Sequence, residues 1–376
     1  MRVVVDARTV YSPVRRGTGK NLVDLYRTMA GLRPGWTFYM MHRGGAADDP
    51  FADRPNVSAE VVDMKGDRWN LWEQVRLPLA AVARRASVLH SPANTAPAVP
   101  LVPLVMTVHD LIPMDSGDTV ARAWQANVAA AAQKARRILT PSGYTRSLLS
   151  ERLGIPLHKI VVNHWAPDNG CRRVTDPLAL ERVRSTYGLG DRKRYMFAFG
   201  ATDPRKNTRR VIEAWAGLPA PLRTELALVI VGLQGDALTE ASRHAAALAP
   251  EGGWHFAGFA PETDLPALLT GATLLCYPSL SEGFGLPVLD AFACGTPVVT
   301  SATTSLPEVA GDAAVLVDPT DVASIRDGIV RVAGDASVQE SLRSRAYERL
   351  EKFSWQRCAQ TAAAALEEAS MRTVAA

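Results

Sequence analysis

The chain has 376 residues, 47% of them hydrophobic and 21% charged, with a formal net charge of +4. That length exceeds one ordinary core and fits two domains, and the composition excludes a disordered chain. The charge is too slight to point to nucleic acid, and the longest apolar runs fall far short of the roughly 20 residues of a membrane span.

The chain opens on a short apolar run, Arg2-Val-Val-Val-Asp6, with no basic stretch and long apolar core of a secretory signal, so the expected compartment is the cytoplasm. Further strands are predicted in the first half near Val88–His90, Leu104–Val108, Ile138–Thr140 and Ile160–Val162. In the second half they fall near Met196–Phe199, Leu226–Val231, Trp254–Phe256, Thr273–Tyr277, Pro297–Val299 and Ala314–Val317. Segments with helical spacing, such as Asn21–Leu32 and Arg205–Ala216, lie between them. Strand–helix alternation with continuous apolar strands predicts an α/β protein with parallel sheets covered on both faces.

The pattern restarts after the polar stretch Asp168–Arg194, which reads as a linker. Two doubly wound, Rossmann-like domains are expected, over residues 1–170 and 171–354. An Ala-rich helix over about 355–376 could pack back on the first. Ligands of such sheets bind beyond the carboxyl ends of the strands, so the expected site is a deep cleft that the two domains face. Cys171, Cys276, Cys294 and Cys358 are scattered without a CxxC pair and read as reduced packing residues.

The most informative segment runs from Tyr277 to Thr300. A buried strand ends at Tyr277, a loop carries Glu282, Gly283, Phe284 and Gly285, and a helix follows with Pro287 suited to its first turn and Gly295 to its end. Glycines before a helix let a diphosphate approach bare backbone N–H groups. Glu282 and, eight positions on, Asp290 can line one pocket. Carboxylates would repel an anion, so their expected partners are sugar hydroxyls.

A second constellation, Phe199-Gly-Ala-Thr-Asp-Pro-Arg-Lys-Asn207, follows another strand. Its Gly200 lies at the turn, and Arg205 and Lys206 would supply positive charge to a departing diphosphate. A third, His109-Asp110, stands at the end of a first-half strand, where His109 is placed to meet a transferred sugar. A fourth, Arg16-Gly-Thr-Gly-Lys-Asn21, offers Gly17 and Gly19 to phosphates. It is not a P-loop, because Val14 stands where that motif has Gly and Asn21 where it has Ser or Thr. No HExxH, GxSxG or zinc spacing occurs. No Asp-x-Asp pair is present to hold a metal for a sugar nucleotide, so no metal and no cofactor are expected.

These motifs resemble a known family. Glu282-Gly-Phe-Gly-Leu-Pro287 through Gly295-Thr-Pro297, the Pro204-Arg-Lys-Asn207 turn and Ser305-Leu-Pro-Glu-Val309 are similar to the retaining family 4 of GT-B glycosyltransferases. Trp72-Glu73, His90-Ser91-Pro92 and His109-Asp110-Leu111 resemble its bacterial polysaccharide mannosyltransferase-like branch. The resemblance implies that Glu282 binds the donor sugar and Asp290 the nucleotide ribose. Arg205 and Lys206, with the backbone of Gly283 and Phe284, would neutralise the diphosphate, and His109 would touch the transferred sugar. Asp290 is one methylene shorter than the family's usual Glu.

The implied activity is retaining hexosyl transfer from a nucleotide sugar, GDP-mannose ahead of a UDP-sugar, onto a saccharide or lipid-linked saccharide. A lipid-linked acceptor would bring the chain to the inner membrane face, where Arg84–Arg85 and the Lys134–Arg137 run permit docking. The competing readings are a sugar-nucleotide epimerase or hydrolase and a non-catalytic nucleotide-sugar-binding subunit.

Overall fold

The computed structural model describes residues 1–15, 17–45, 48–62, 71–116, 119–189 and 194–371. The chain divides into two compact units, Met1–Trp165 with Ser354–Ala376, and Ala166–Phe353.

The first unit carries strands β1 (Arg2–Asp6), β2 (Thr37–His42), β3 (Val57–Val61), β4 (Val88–Ser91), β5 (Leu104–Thr107), β6 (Arg137–Thr140) and β7 (Ile160–Val162). Among the described residues they pair in the order β3-β2-β1-β4-β5-β6-β7, all parallel. The order reverses between β1 and β4, and it is at such a switch point that crossovers leave the two sheet faces and open a ligand crevice. Val4, Leu89, Met106 and Ile138 share one core with Trp72 and Leu77. By alternation along the strands, Asp6 and Ser91 point to that same face.

The second unit carries β8 (Arg194–Phe199), β9 (Leu226–Val231), β10 (Trp254–Ala257), β11 (Leu274–Tyr277), β12 (Val298–Ser301) and β13 (Ala314–Val317). Their order is β10-β9-β8-β11-β12-β13, again all parallel. The reversal here lies between β8 and β11. β9 is buried at every position, as its unbroken apolar sequence requires of a strand covered on both faces.

β2 and β3 have no counterpart among the sequence-predicted strands. β2 is Thr-Phe-Tyr-Met-Met-His, with a single β-branched residue, and β3 is an edge strand with three of its five residues exposed. The polar stretch read as a linker contains a helix, Pro177–Thr186. Asp176 caps it by accepting from the Leu178 N–H, and Pro177 opens its first turn. The first helix begins at Gly17 rather than near Asn21, so both glycines of that motif are helical; Arg16 lies outside the described residues.

The segment after Asp203 is no first helical turn either. Pro204–Lys206 form a 3-10 turn capped by the Asp203 carboxylate, Asn207 takes a left-handed conformation (φ 60°), and a helix then runs over Thr208–Ala216.

The helix Trp355–Ser370 packs on the helix Gly17–Leu32. Its buried face is Trp355, Cys358, Ala359, Ala362, Ala363, Ala365, Leu366 and Ala369, and such small residues allow close approach. Arg33 pairs with Glu367 at 3.3 Å and Arg137 with Glu368 at 2.8 Å. Residues 372–376 of the expected helix lie outside the described residues.

Candidate functional site

In the second unit, two loops leave β8 and β11, the strands that flank the switch point, and they interlock. The Leu280 N–H donates to the Arg205 carbonyl at 2.8 Å, and the Ser279 hydroxyl oxygen lies 2.9 Å from the same carbonyl. Asn207 donates from Nδ2 to the carbonyls of Pro278 (2.9 Å) and Pro319 (2.7 Å). The turn carrying Arg205 and Lys206 is thereby fixed to the loop carrying Glu282.

Glu282 is held through one oxygen. Its Oε1 accepts from Lys206 Nζ at 2.7 Å, from the Tyr277 hydroxyl at 2.6 Å and from the Ser279 hydroxyl at 2.6 Å. Oε2 accepts from none of these three, so the carboxylate is oriented while keeping one oxygen for a further donor. Burial, reinforced by the Glu282 charge, pushes the Tyr277 hydroxyl well above its ordinary pKa, which keeps the phenol protonated and donating. Lys206 Nζ also lies 5.0 Å from the centre of the Tyr277 ring.

Arg205 does not stand free. Its Nε and Nη2 contact the Asp203 carboxylate, Nη2 at 2.5 Å, and Nη1 donates to the Ser281 carbonyl at 3.2 Å. Burial pushes the Asp203 pKa up, but hydrogen bonds and charge from Arg205 more than offset this and leave it lowered. Both cations are therefore charge-paired, Arg205 with Asp203 and Lys206 with Glu282. A diphosphate would have to compete for them.

Ser305 shapes the glycine loop, with its hydroxyl 2.8 Å from the Glu282 carbonyl and 2.6 Å from that of Phe284. Gly285 caps the helix Leu286–Ala293 at φ 138°, and a Cβ there would come 2.8 Å from Leu306 Cδ2. The Phe284 ring is buried edge-on to Phe353. Gly200 is required by packing, since a Cβ would lie 2.6 Å from Leu233 Cγ.

Asp290 is buried, and its Oδ1 accepts the Asp168 N–H at 2.9 Å, so it ties down the chain at the start of the unit. Its charge nonetheless reaches Tyr277. The sequence reading missed Tyr277 and Ser279 as partners of Glu282. The available signal was a hydroxyl-bearing residue ending a buried strand five positions before the carboxylate.

In the first unit, His109 follows β5. Its Nε2 lies 2.7 Å from the Pro92 carbonyl, its N–H donates to Asn94 Oδ1 at 2.6 Å, and its ring stands edge-on to Trp165 at 4.7 Å. A carbonyl only accepts, so Nε2 carries the proton. Burial lowers the His109 pKa despite raising contributions from Pro92 and Asp110, so the ring is neutral and Nδ1 is an acceptor. Asp110 turns back to accept the Ile112 N–H at 3.1 Å. Gly17 has open space around its Cβ position, whereas Gly19 packs against the Thr9 carbonyl.

Of the basic residues considered for anionic surfaces, Arg84 pairs with Glu60 and Arg137 with Glu368, and Arg136 donates to the carbonyls of Ala369 and Met371. No helix among the described residues is long and apolar enough to cross a membrane.

The family model of glycosyltransferase family 4 matches residues 17–166, and that of glycosyl transferases group 1 matches residues 181–349, so the two together span most of both units. The chain belongs to the family 4 GT-B glycosyltransferases. Among its relatives in that family, O-antigen chain mannosyltransferase B of Escherichia coli is 35% identical over 60% of this chain and 58% of its own length. The serotype-specific mannosyltransferase WbdA of Escherichia coli is 31% identical over 70% of this chain and 33% of its own length. The chain thus spans less than two thirds of these relatives. Anabaena HepE, crystallised with UDP and glucose, shares the fold at a TM-score of 0.77 and 18% identity, covering 98% of this chain and 100% of HepE.

Proposed function

We propose that the protein transfers a hexose with retention from a nucleotide diphosphate sugar onto a saccharide or lipid-linked saccharide in polysaccharide synthesis. The proposed donor is GDP-mannose, ahead of a UDP-sugar. The relatives named as mannosyltransferases support the sugar. The observation that carries the reading is Glu282, a carboxylate oriented through Oε1 by Lys206, Tyr277 and Ser279 with Oε2 kept for another donor. Hydroxyls of a sugar are such donors, and hydrogen bonds to a charged acceptor are the stronger kind.

In this reading Arg205 and Lys206 shift from Asp203 and Glu282 toward the diphosphate as negative charge develops on it. The Gly283–Phe284 backbone meets the same phosphates, Asp290 meets the ribose, and His109 accepts a sugar hydroxyl at Nδ1. The acceptor oxygen attacks from the face the diphosphate leaves. The C1–O bond to phosphate breaks as the new glycosidic bond forms, and a departing phosphate oxygen takes the acceptor's proton. No metal and no covalent enzyme intermediate enter.

The test is a panel of UDP-, GDP-, ADP- and dTDP-sugars, assayed with EDTA for binding and for slow cleavage, against Glu282→Ala. One sugar nucleotide bound and cleaved by the wild type, with cleavage lost in the variant, is the expected result. No binding to any of them would overturn the proposal. An epimerised sugar would establish the rival reading in its place.

A further inference from the structure

The first unit holds a buried ionic cluster at its own switch point that the donor site does not use. Asp6 ends β1 and is 3% exposed, Arg8 is 7% exposed and Glu73 1% exposed. Arg8 grips Asp6 with two nitrogens, Nε to Oδ1 at 2.9 Å and Nη2 to Oδ2 at 2.6 Å, and reaches Glu73 Oε2 with Nη2 at 2.5 Å. Its guanidinium lies 4.6 Å from the centre of the buried Trp72 ring, which is itself anchored by Nε1 on the Val62 carbonyl. Two carboxylates share one guanidinium here, an arrangement costly to bury and not explained by stability alone.

The cluster reaches the loop that leaves β4 through Thr95 and through Gln74, whose Nε2 donates to Glu73 Oε1 at 3.1 Å. Thr95 donates from its hydroxyl to Glu73 Oε2 at 2.6 Å. Next door, Gln74 accepts the Ala98 N–H at 2.8 Å and donates to the Ala96 carbonyl at 3.2 Å. Thr95 belongs to the loop that leaves β4, and the same loop holds His109 at two points, the Pro92 carbonyl and Asn94 Oδ1. Between these holds Asn94 takes a left-handed conformation (φ 66°) and Thr95 pairs back on Ala93. Asparagine is among the few side chains that adopt this conformation readily, and here its Oδ1 accepts the His109 N–H. One side of this loop is thus set by a buried charge and the other sets the imidazole.

We infer that Thr95, fixed by the buried Glu73–Arg8–Asp6 cluster, is the positioning residue that sets the His109 ring for the sugar it contacts. This rests on the reading of His109 given above. The cluster touches no reacting atom. It holds the Pro92 carbonyl where that carbonyl keeps the proton on Nε2 and leaves Nδ1 as the acceptor. A displacement of about 1 Å at such a group can cost about a hundredfold in rate.

The experiment is a cycle on the full chain with Thr95→Val, Thr95→Ser, His109→Ala and the double variant Thr95→Val/His109→Ala. It is read as kcat and KM for donor cleavage and as the imidazole 15N resonances of His109. Thr95→Val should lower kcat by about tenfold to about a hundredfold with little change in KM, and should shift the His109 ring resonances. Thr95→Ser, which keeps the hydroxyl, should restore both. In the His109→Ala background, Thr95→Val should change kcat by less than about twofold, because residues acting through one another are not additive. Wild-type kcat and resonances in Thr95→Val, or a full additional loss in the double variant, would overturn the positioning role alone. Wild-type turnover in His109→Ala would remove the reading of His109 and this inference with it.

Discussion

Glu282→Gln isolates what the charge on this carboxylate does, because the surrounding donors dictate how the amide must lie. Lys206, Tyr277 and Ser279 all donate to Oε1, so the glutamine oxygen must occupy that position and the NH2 group must take the place of Oε2. A sugar hydroxyl that donated to a carboxylate would then face a neutral donor. Hydrogen bonds to charged groups contribute about 1.5–3 kcal/mol and neutral ones about 0.5–1.5 kcal/mol, so the loss is about 1–1.5 kcal/mol for each hydroxyl. For one or two hydroxyls this lowers kcat/KM by about tenfold to about a hundredfold. Glu282→Ala removes the acceptor altogether and should cost about a thousandfold. The Lys206–Glu282 pair is part-exposed, at 24% and 14% of its side chains, so Glu282→Gln should change stability by no more than about 1 kcal/mol. The assay is nucleotide-sugar cleavage in EDTA beside a thermal melt. Wild-type kcat/KM in Glu282→Gln, or a loss equal to that of Glu282→Ala, would refute the argument from the two oxygens.

Gly285→Ala should destabilise the second unit by about 1–3 kcal/mol, seen as an earlier thermal transition, because φ 138° strains any side chain and the new Cβ would press on Leu306. His90 predicts an acid limb in stability. It is fully buried between the Tyr26 and Thr107 hydroxyls, and burial pulls its pKa from 6.5 down to about 3. The folded state refuses a proton that the unfolded chain takes, so stability is complete above pH 6.5 and falls as pH drops from there toward about 3. Between pH 7.5 and 5.0 this group should remove about 2 kcal/mol in urea titrations. In His90→Gln that part of the pH dependence should vanish, and an unchanged pH dependence would rule the effect out.

Strands with unbroken apolar runs, such as Val3–Val5 and Leu226–Val231, were legible in the sequence because burial on both faces leaves no polar position to confuse the pattern. β2 and β3 were not, since a Met- and aromatic-rich strand and a half-exposed edge carry no period that separates them from loop. Glu282 was legible from its loop and the helix behind it. Its pairing with Lys206, 76 positions away, was not, because nothing local in either segment announces the other. Arg205 and Lys206 looked like free cations, and only the fold brought Asp203 and Glu282 to meet them. The cluster of Asp6, Arg8 and Glu73 was invisible for the same reason: Glu73 stood out only within the Trp72-Glu73 motif, and nothing local ties it to Asp6 or to Arg8, 65 positions away.

The helix Trp355–Ser370 completes the unit begun at Met1, and the whole of Ala166–Phe353 lies between in sequence. At about 5–20 residues per second, a ribosome needs roughly 10–40 s to make that intervening stretch. Through that time the seat for the helix Trp355–Ser370 on the helix Gly17–Leu32 and on β4, β5 and β6 stays uncovered, so the unit started first is the one finished last. A nascent chain stalled just before Ser354 would carry a closed second unit and an open first one, and that open apolar seat is where a chaperone would be expected to hold it.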